Sequence, residues 1–201
     1  MLIRRWMTPN PVCIGPLDSL AQARAKMDRG GFRRLPVVEN QRLIGMLTER
    51  DLRQHSGQLE HTRVNAAMTA PAVVAKANML LDQAAQLFIR HKFGGFPVVE
   101  GDRLTGIITA TDMIRAFAET LGASEEGVSR IDLAFTGSSF DLAMIAELVG
   151  QASGEVLGMG TYESEGARKD QTFYVRVRTA DARAVANMLS ENGFAVVAIH
   201  Q

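Results

Sequence analysis

Residues 36–51, PVVENQRLIGMLTERD, recur 61 positions later as residues 97–112, PVVEGDRLTGIITATD. Both copies have a Pro-Val-Val-Glu run, an Arg-Leu pair, a glycine and a Thr-x-x-Asp segment at matching positions. Self-similarity at a fixed period indicates two copies of one module, over residues 1–60 and 61–121. The same offset aligns other residues without a gap: Met7-Thr8 with Met68-Thr69, Val12 with Val73, and Phe32 with Phe93.

Each copy is predicted to fold as β-α-β-β-α, which gives an α+β fold class. A unit of about 60 residues buries too little surface to be secure alone, so we expect the two copies to pack as a pseudo-twofold pair. Such a pair would have a cleft with two related sites. The expected elements of the first copy are a strand over Pro11 to Ile14, a helix from the Ser19 cap to Gly30-Gly31, strands over 35–38 and 43–47, and a second helix after Thr48.

Thr48 and Asp51, repeated as Thr109 and Asp112, lie where an apolar strand is predicted to lead into a helix. One interpretation is helix capping, because such a pair can satisfy unpaired backbone amides. The other is a nucleotide site, because a helix start binds phosphate through free N–H groups and an aspartate accepts hydrogen bonds from a ribose diol. Gly45, which also recurs, would let backbone or ligand approach closely. Capping does not require this recurring glycine, which favours the nucleotide site.

These motifs resemble the cystathionine-β-synthase (CBS) domain, which occurs in tandem as a Bateman module. The resemblance covers about residues 1–121. It implies an adenine-containing regulatory ligand, such as AMP, ADP, ATP or S-adenosylmethionine, between the paired motifs. By this resemblance Asp51 and Asp112 would hold ribose hydroxyls, and Thr48 and Thr109 would face phosphate. The base would lie against strand residues, namely Val12, Val73, Leu35, Pro36, Phe96 and Pro97.

The two copies differ in their arginines. Arg33 and Arg34 align with a Gly-Gly pair of the second copy, and Arg50 aligns with a threonine. Arginine donates two parallel hydrogen bonds to phosphate oxygens. We therefore expect two related but unequal nucleotide sites, with the first copy better suited to phosphate. The alternative is that Arg33 and Arg34 lie on the surface of an edge strand without a ligand.

The last third of the chain is predicted to be a separate domain over residues 130–201, after a linker over 122–129. Its apolar patterns predict the order β-α-β-β-α-β, which is ferredoxin-like. This pattern resembles the ACT domain, whose members often bind amino acids at a dimer interface. The turn at Gly137 and Ser138 would face such an effector, but the family's usual Asp-x-Pro-Gly turn is replaced here, and a purely dimerising role stays open. The domain order also resembles the AcuB family of acetoin-utilisation proteins.

The composition argues against several other classes of protein. No apolar run approaches the ~18 residues that span a bilayer. Cys13 is the single cysteine, which excludes an internal disulfide, and the four histidines have no metal-ligand spacing, so we expect no metal. The excess of five positive charges over residues 1–55 is too small to suggest nucleic-acid binding.

The sequence thus predicts a regulatory protein rather than an enzyme, since the repeats carry no marked nucleophile, general-base histidine or metal cluster. We expect a cytoplasmic protein, because the first residues lack the apolar stretch of a secretory signal, and the resemblance to the ACT domain implies a homodimer. The paired repeats would sense an adenine nucleotide, and the C-terminal domain would transmit the ligand state to a partner. Two alternatives stay open: a dimerisation module with vestigial sites and, with less support, an enzyme that acts on a nucleotide or small metabolite.

Overall fold

The computed structural model describes residues 1–121, 126–134, 141–163 and 171–201. These residues form two units, Met1–Ala116 and Phe117–Gln201. The predicted turn at Gly137 and Ser138 lies outside the described residues.

The first unit contains both sequence repeats up to Ala116, which lies inside the last helix of the second repeat. In the first repeat, Ser19 accepts a hydrogen bond from the Gln22 amide, and Gly31 ends the helix in the left-handed conformation, as the cap and the glycine predicted. A 3₁₀ turn over Ile3–Arg5 precedes the strands and helices, which are β1 (Thr8–Pro9), α1 (Leu20–Gly30), β2 (Arg34–Glu39), β3 (Arg42–Thr48), α2 (Glu49–Gln54), α3 (Val64–Ala67), β4 (Ala75–Lys76), α4 (Leu81–His91), β5 (Gly95–Glu100), β6 (Arg103–Thr109) and α5 (Ala110–Thr120).

The prediction of a strand over Pro11 to Ile14 is wrong. Only Ile14 pairs there, in a single parallel bridge to Val37. Prolines at positions 11 and 16 flank this point, and a proline has no backbone N–H to donate to a ladder. In the second repeat the equivalent positions are free of proline, and β4 pairs with β5 over two residues.

The two repeats exchange their Met-Thr segments. Thr8 of the first repeat pairs with Ile107 on β6, and Thr69 of the second pairs with Met46 on β3. These pairs are equivalent under the 61-residue offset. Arg42 pairs with its own counterpart, Arg103, where β3 and β6 meet, so the local symmetry axis passes between them. The pair therefore has the predicted pseudo-twofold arrangement, and its strands join in one sheet of order β2-β3-β6-β5-β4, with β1 on β6.

The recurring glycines provide room for this exchange. A Cβ on Gly45 would lie 2.7 Å from Met68 Sδ and 2.9 Å from the Thr69 carbonyl oxygen. A Cβ on Gly106 would lie 2.5 Å from Met7 Sδ. Of the two roles suggested by the sequence, close approach of backbone is therefore the one the structure assigns to these glycines.

Each repeat has its own apolar core. Trp6 packs against the core of the second repeat, although it precedes the first repeat's helix, because the Met-Thr segments are exchanged. The fully buried members of the first core include Ile14, Leu20, Leu35 and Leu47, and those of the second include Ile3, Phe96 and Ile108.

The second unit has the predicted β-α-β-β-α-β order. Its antiparallel sheet has the strand order β10-β7-β9-β8. The first strand begins at Val128, two residues before the expected start of the domain at residue 130, and Ser129 is buried in it. The elements are β7 (Val128–Ala134), α6 (Leu142–Gln151), β8 (Glu155–Glu163), β9 (Gln171–Arg178), α7 (Ala182–Glu191) and β10 (Val196–His200).

Candidate ligand cavities between the repeats

Two cavities of about 420 Å³ each lie between the repeats. In the first cavity, the residues on and beside β2 come from the first repeat, and the residues at the start of α5 come from the second. Its lining includes Val12, Phe32, Arg33, Arg34, Pro36, Ile107, Thr109 and Thr111.

The second cavity is the counterpart of the first under the 61-residue offset. Here the strand side belongs to the second repeat and the start of α2 to the first. Its lining includes Val73, Phe93, Pro97, Met46, Thr48, Arg50 and Asp51. Each cavity is thus composed of both repeats, because the Met-Thr exchange places each helix start beside the other repeat's strands. Of the three arginines that distinguish the first copy, Arg33 lines the first cavity, Arg50 lines the second and Arg34 lines both.

The Thr-x-x-Asp segments have capping geometry. The Thr48 amide and hydroxyl donate to Asp51 Oδ2 at 2.8 and 2.7 Å. The equivalent bonds from Thr109 to Asp112 measure 2.9 and 2.6 Å. Since each hydroxyl proton is directed to its own aspartate, neither threonine offers that proton to a phosphate in this arrangement. Both repeats therefore have the helix cap that the first of the two interpretations predicted.

The two aspartates differ in their access to ligand. Asp51 is partly exposed and lines the second cavity. Among the described residues, no hydrogen bond reaches its Oδ1, which leaves an acceptor beside the cavity. Asp112 is 8% exposed, lies 3.7 Å from Arg115 and is not among the residues described as lining the first cavity. Of the two aspartates predicted to hold ribose, this structure thus places Asp51 beside a cavity and leaves Asp112 outside the described lining.

The predicted base-contacting residues divide by strand alternation. Pro36 lines the first cavity and Pro97 the second. Leu35 and Phe96 are 0% and 1% exposed and belong to the two apolar cores. Successive side chains of a strand point to opposite faces, so the residue before each proline faces the core instead of the cavity. Leu35 and Phe96 are thus core residues, contrary to the expectation.

Arg34 occupies a half-buried position between the repeats. Its Nη1 donates a hydrogen bond to the Gly95 carbonyl oxygen at 3.2 Å. Burial lowers the pKa of the Arg34 guanidinium, and the neighbouring charge of Arg33 lowers it further. No ion pair of the described residues includes Arg34. A desolvated cation without a carboxylate partner favours an anion in the adjoining space.

Lys92 is a cavity residue that the sequence reasoning missed. It lines the second cavity and ends α4 in the left-handed conformation, with φ of 53°. Its counterpart is Gly31, which ends α1 in the same conformation and lines the first cavity. The offset therefore contained a signal for Lys92, since it places a cation where the first copy has the expected glycine.

The second unit contains a polar cluster that the sequence patterns did not indicate. Asp132 is 2% exposed and accepts hydrogen bonds from Arg130 Nε at 2.7 Å and the Tyr162 hydroxyl at 2.8 Å. His200 Nε2 lies 3.2 Å from its Oδ2. The Arg130 guanidinium lies over the rings of Tyr162 and Tyr174, 4.7 and 4.6 Å from their centroids. Burial raises the pKa of Asp132, but the hydrogen bonds from Arg130, Tyr162 and His200 outweigh it and hold the pKa below its ordinary value.

The part of the chain that the structure describes has neither a metal cluster nor a membrane-spanning helix. No cluster of three or more His, Cys, Asp or Glu residues suited to a metal ion occurs there. Within the same residues, no helix has both the length and the apolar character needed to cross a membrane.

Comparison with known families gives a match over both repeats. The family model of the CBS domain matches residues 3–57 and 64–119, which together are more than half of the chain.

Individual proteins also match the chain. Inosine-5'-monophosphate dehydrogenase of Staphylococcus epidermidis is 30% identical over 156 residues, which are 76% of this chain and 32% of that protein. The chain thus spans about a third of the length of this relative.

Two solved structures share the fold. A Vibrio cholerae protein named for acetoin utilization (AcuB) is 28% identical, with a TM-score of 0.56 over 63% of this chain and 96% of that one. CBSX2, whose structure is a complex with AMP, is 25% identical, with a TM-score of 0.55 over 62% of this chain and 98% of that one.

Proposed function

The chain belongs to the CBS-domain family, and we propose that its paired repeats are a regulatory unit that binds an adenine nucleotide in the cavities between them. The ligand would be AMP, ADP, ATP or S-adenosylmethionine, and its binding would shift the relation between the repeats or between dimer partners. A ligand can drive such a shift only if it binds the two states with different affinity.

The observation that carries this proposal is the pair of equivalent cavities with an excess of cations. Arg33 and Arg34 line the first cavity, and Arg34, Arg50 and Lys92 line the second. Asp51 is the one carboxylate among the described residues that line either cavity. A cavity of about 420 Å³ is within the range that holds small ligands. The AMP complex of CBSX2 supports a nucleotide monophosphate as the first ligand to test.

The proposed contacts follow the lining of each cavity. In the first, adenine lies against Val12 and Pro36, and its phosphate is bound by Arg33 and Arg34. In the second, Val73 and Pro97 take the equivalent place beside adenine. There the phosphate is bound by Arg34 and Arg50, and Asp51 accepts hydrogen bonds from the ribose through Oδ1. The cavities are therefore unequal, since ribose in the first lacks a carboxylate partner.

The same proposal covers the rest of the chain. Residues 1–60 and 61–121 act as the paired repeats, and residues 130–201 act as an ACT-like domain after the linker over 122–129. This domain dimerises and passes the ligand state to a protein partner. Gly137 and Ser138 would form its effector-facing turn. The protein itself is proposed to be a non-catalytic cytoplasmic homodimer.

Calorimetry with a nucleotide panel tests the proposal. We expect heat of binding with at least one of AMP, ADP, ATP and S-adenosylmethionine. At 100 times its Kd that ligand should stabilise the fold by about 2.7 kcal/mol, which corresponds to several degrees at roughly 2–4 °C per kcal/mol. Asp51→Ala should weaken one site by roughly tenfold, as expected for lost hydrogen bonds to a charged group. Asp82→Ala is the matched control, because Asp82 is an exposed aspartate of α4 that lines neither cavity.

Binding by none of the four ligands would contradict the proposal and favour the alternative of a dimerisation module with vestigial sites. One observation favours that alternative: both threonine hydroxyls are directed to their own aspartates. Sedimentation analysis would then show a dimer whose association constant is independent of nucleotide.

The enzyme alternative has its own test. Each ligand is incubated with the protein and the products are separated by chromatography. Turnover that is lost in Asp51→Ala or Asp112→Ala would contradict the non-catalytic assignment.

A further inference from the structure

Arg34 lies at the border of both cavities. Of the described side chains that line the two cavities, it is the one common to both. It starts β2, and its hydrogen bond to the Gly95 carbonyl oxygen reaches the start of β5 in the other repeat.

The second repeat leaves space for this guanidinium. A Cβ on Gly94 would lie 2.4 Å from Arg34 Nη2, and a Cβ on Gly95 would lie 3.0 Å from the Ile108 carbonyl oxygen and 3.1 Å from Arg34 Nη1. Neither glycine has a positive φ, so space rather than backbone conformation accounts for them. Gly95 is also the counterpart of Arg34 under the repeat offset. The Arg-to-Gly difference between the copies therefore leaves room for the one guanidinium that lies there.

The shared arginine limits the charge that two ligands can use. Each cavity taken alone has a net lining charge of +2, but the two together have +3, because Arg34 is common to both. A phosphate monoester carries about −1.5 to −2 at pH 7. The second phosphate to bind therefore meets a guanidinium that the first has already neutralised, together with the repulsion of that first phosphate.

We propose that Arg34 couples the two cavities, so that anionic nucleotides bind with negative cooperativity whereas uncharged nucleosides bind independently. This inference rests on the proposed function, since it requires an adenine nucleotide in each cavity. The affinity of the second binding step should be at least roughly tenfold lower than the affinity of the same cavity when the other is blocked. This factor corresponds to the lower end of the free energy of a hydrogen bond to a charged group. One nucleotide would then be held over a wide range of concentration before the second binds.

The test compares microscopic and stepwise affinities for AMP by calorimetry on the full chain. Val73→Trp fills the second cavity and reports the first alone, and Val12→Trp fills the first and reports the second. In the wild-type protein the second step should be at least roughly tenfold weaker than the weaker single-cavity value. In Arg34→Gln the second step should lie closer to the single-cavity value measured in the same background, because only the repulsion between the two phosphates remains. Adenosine should show independent steps in every variant.

Arg33→Gln is the matched control for charge, because Arg33 lines the first cavity alone. It should weaken that cavity and leave the coupling unchanged. Circular dichroism checks the fold of each variant. If Arg34→Gln is unfolded, Arg34→Lys, which keeps a shorter cation, replaces it. Arg34→Lys should reduce the coupling.

The outcomes separate the two proposals. Wild-type steps equal to the single-cavity values would overturn the coupling and leave the proposed function intact. AMP binding in only one of the two tryptophan variants would also overturn it, because the coupling needs two sites. Absence of AMP binding in every protein, together with absence of binding by the rest of the nucleotide panel, would overturn the proposed function and the coupling together.

Discussion

Gly45→Ala should destabilise the first unit, because the new methyl group meets the exchanged Met-Thr segment. The Cβ would lie 2.7 Å from Met68 Sδ and 2.9 Å from the Thr69 carbonyl oxygen. The sulfur can move, but the Thr69 carbonyl accepts a hydrogen bond from the Met46 amide at 3.0 Å, and the Thr69 amide donates one to the Met46 carbonyl at 2.9 Å. The carbonyl can move away from the new methyl group only if these Thr69–Met46 hydrogen bonds are distorted. Overpacking of this kind costs about 1–3 kcal/mol.

Urea unfolding measures this cost. The chain has one tryptophan, Trp6, which packs in the first unit, so its fluorescence follows that unit. With an m-value of about 2 kcal/mol/M, the midpoint of Gly45→Ala should fall by about 0.5–1.5 M. Gly57→Ala is the control, since nothing lies within 4 Å of a Cβ there, and its midpoint should stay the same or rise slightly. Equal midpoints for Gly45→Ala and wild type would refute the spatial role of this glycine.

Three further outcomes follow from the second unit and the first helix. Asp132→Asn should lower the free energy of unfolding of the second unit by about 1–3 kcal/mol, because Arg130 loses its carboxylate partner. Urea denaturation followed by circular dichroism measures this loss. Unchanged stability would refute the role of the cluster. Since the folded-state pKa of Asp132 is below its ordinary value, its stabilisation is present above the unfolded pKa and lost as pH falls through the folded pKa. Wild type should therefore lose more stability than Asp132→Asn in an acid titration below about pH 4, and parallel curves would contradict this. Ser19→Ala should cost about 0.5–2 kcal/mol through loss of the helix cap, and a urea midpoint equal to that of wild type would count against it.

Much of the fold could be predicted because the same pattern of strands and helices occurs in two sequence repeats. The recurring Pro-Val-Val and Gly-x-x-Thr-x-x-Asp segments located two strands and a helix start in each copy. Ser19 and Gly31 act as the predicted helix signals. These features depend on residues close together in the chain, where local preferences decide the conformation.

The composition of each cavity could not be predicted in this way. It depends on Thr8 pairing with Ile107 and Thr69 with Met46, and no local pattern contains such distant pairings. The sequence did show arginine opposite glycine, yet it gave no reason to place Arg34 beside the glycine itself. That contact places the Arg34 guanidinium at the second repeat, where it borders both cavities.

Asp132 illustrates a different limit. Strand alternation places it on the face opposite the apolar core residues Ile131 and Leu133, which predicts exposure to solvent. Arg130, Tyr162 and His200 cover the carboxylate from neighbouring positions on the sheet, and its exposure falls to 2%. Register across strands, which a single sequence does not reveal, brings these groups together.

The central claim, that each cavity combines the strands of one repeat with the helix start of the other, has a direct measurement. Arg50→Gln is added to Val12→Trp and to Val73→Trp, and AMP affinity is measured by calorimetry. The account predicts a roughly three- to tenfold loss in the Val12→Trp background, where the second cavity remains, as expected for a partly exposed charged contact. It predicts no change in the Val73→Trp background, because Arg50 does not line the first cavity. The opposite pattern, with the loss confined to Val73→Trp, would contradict the account.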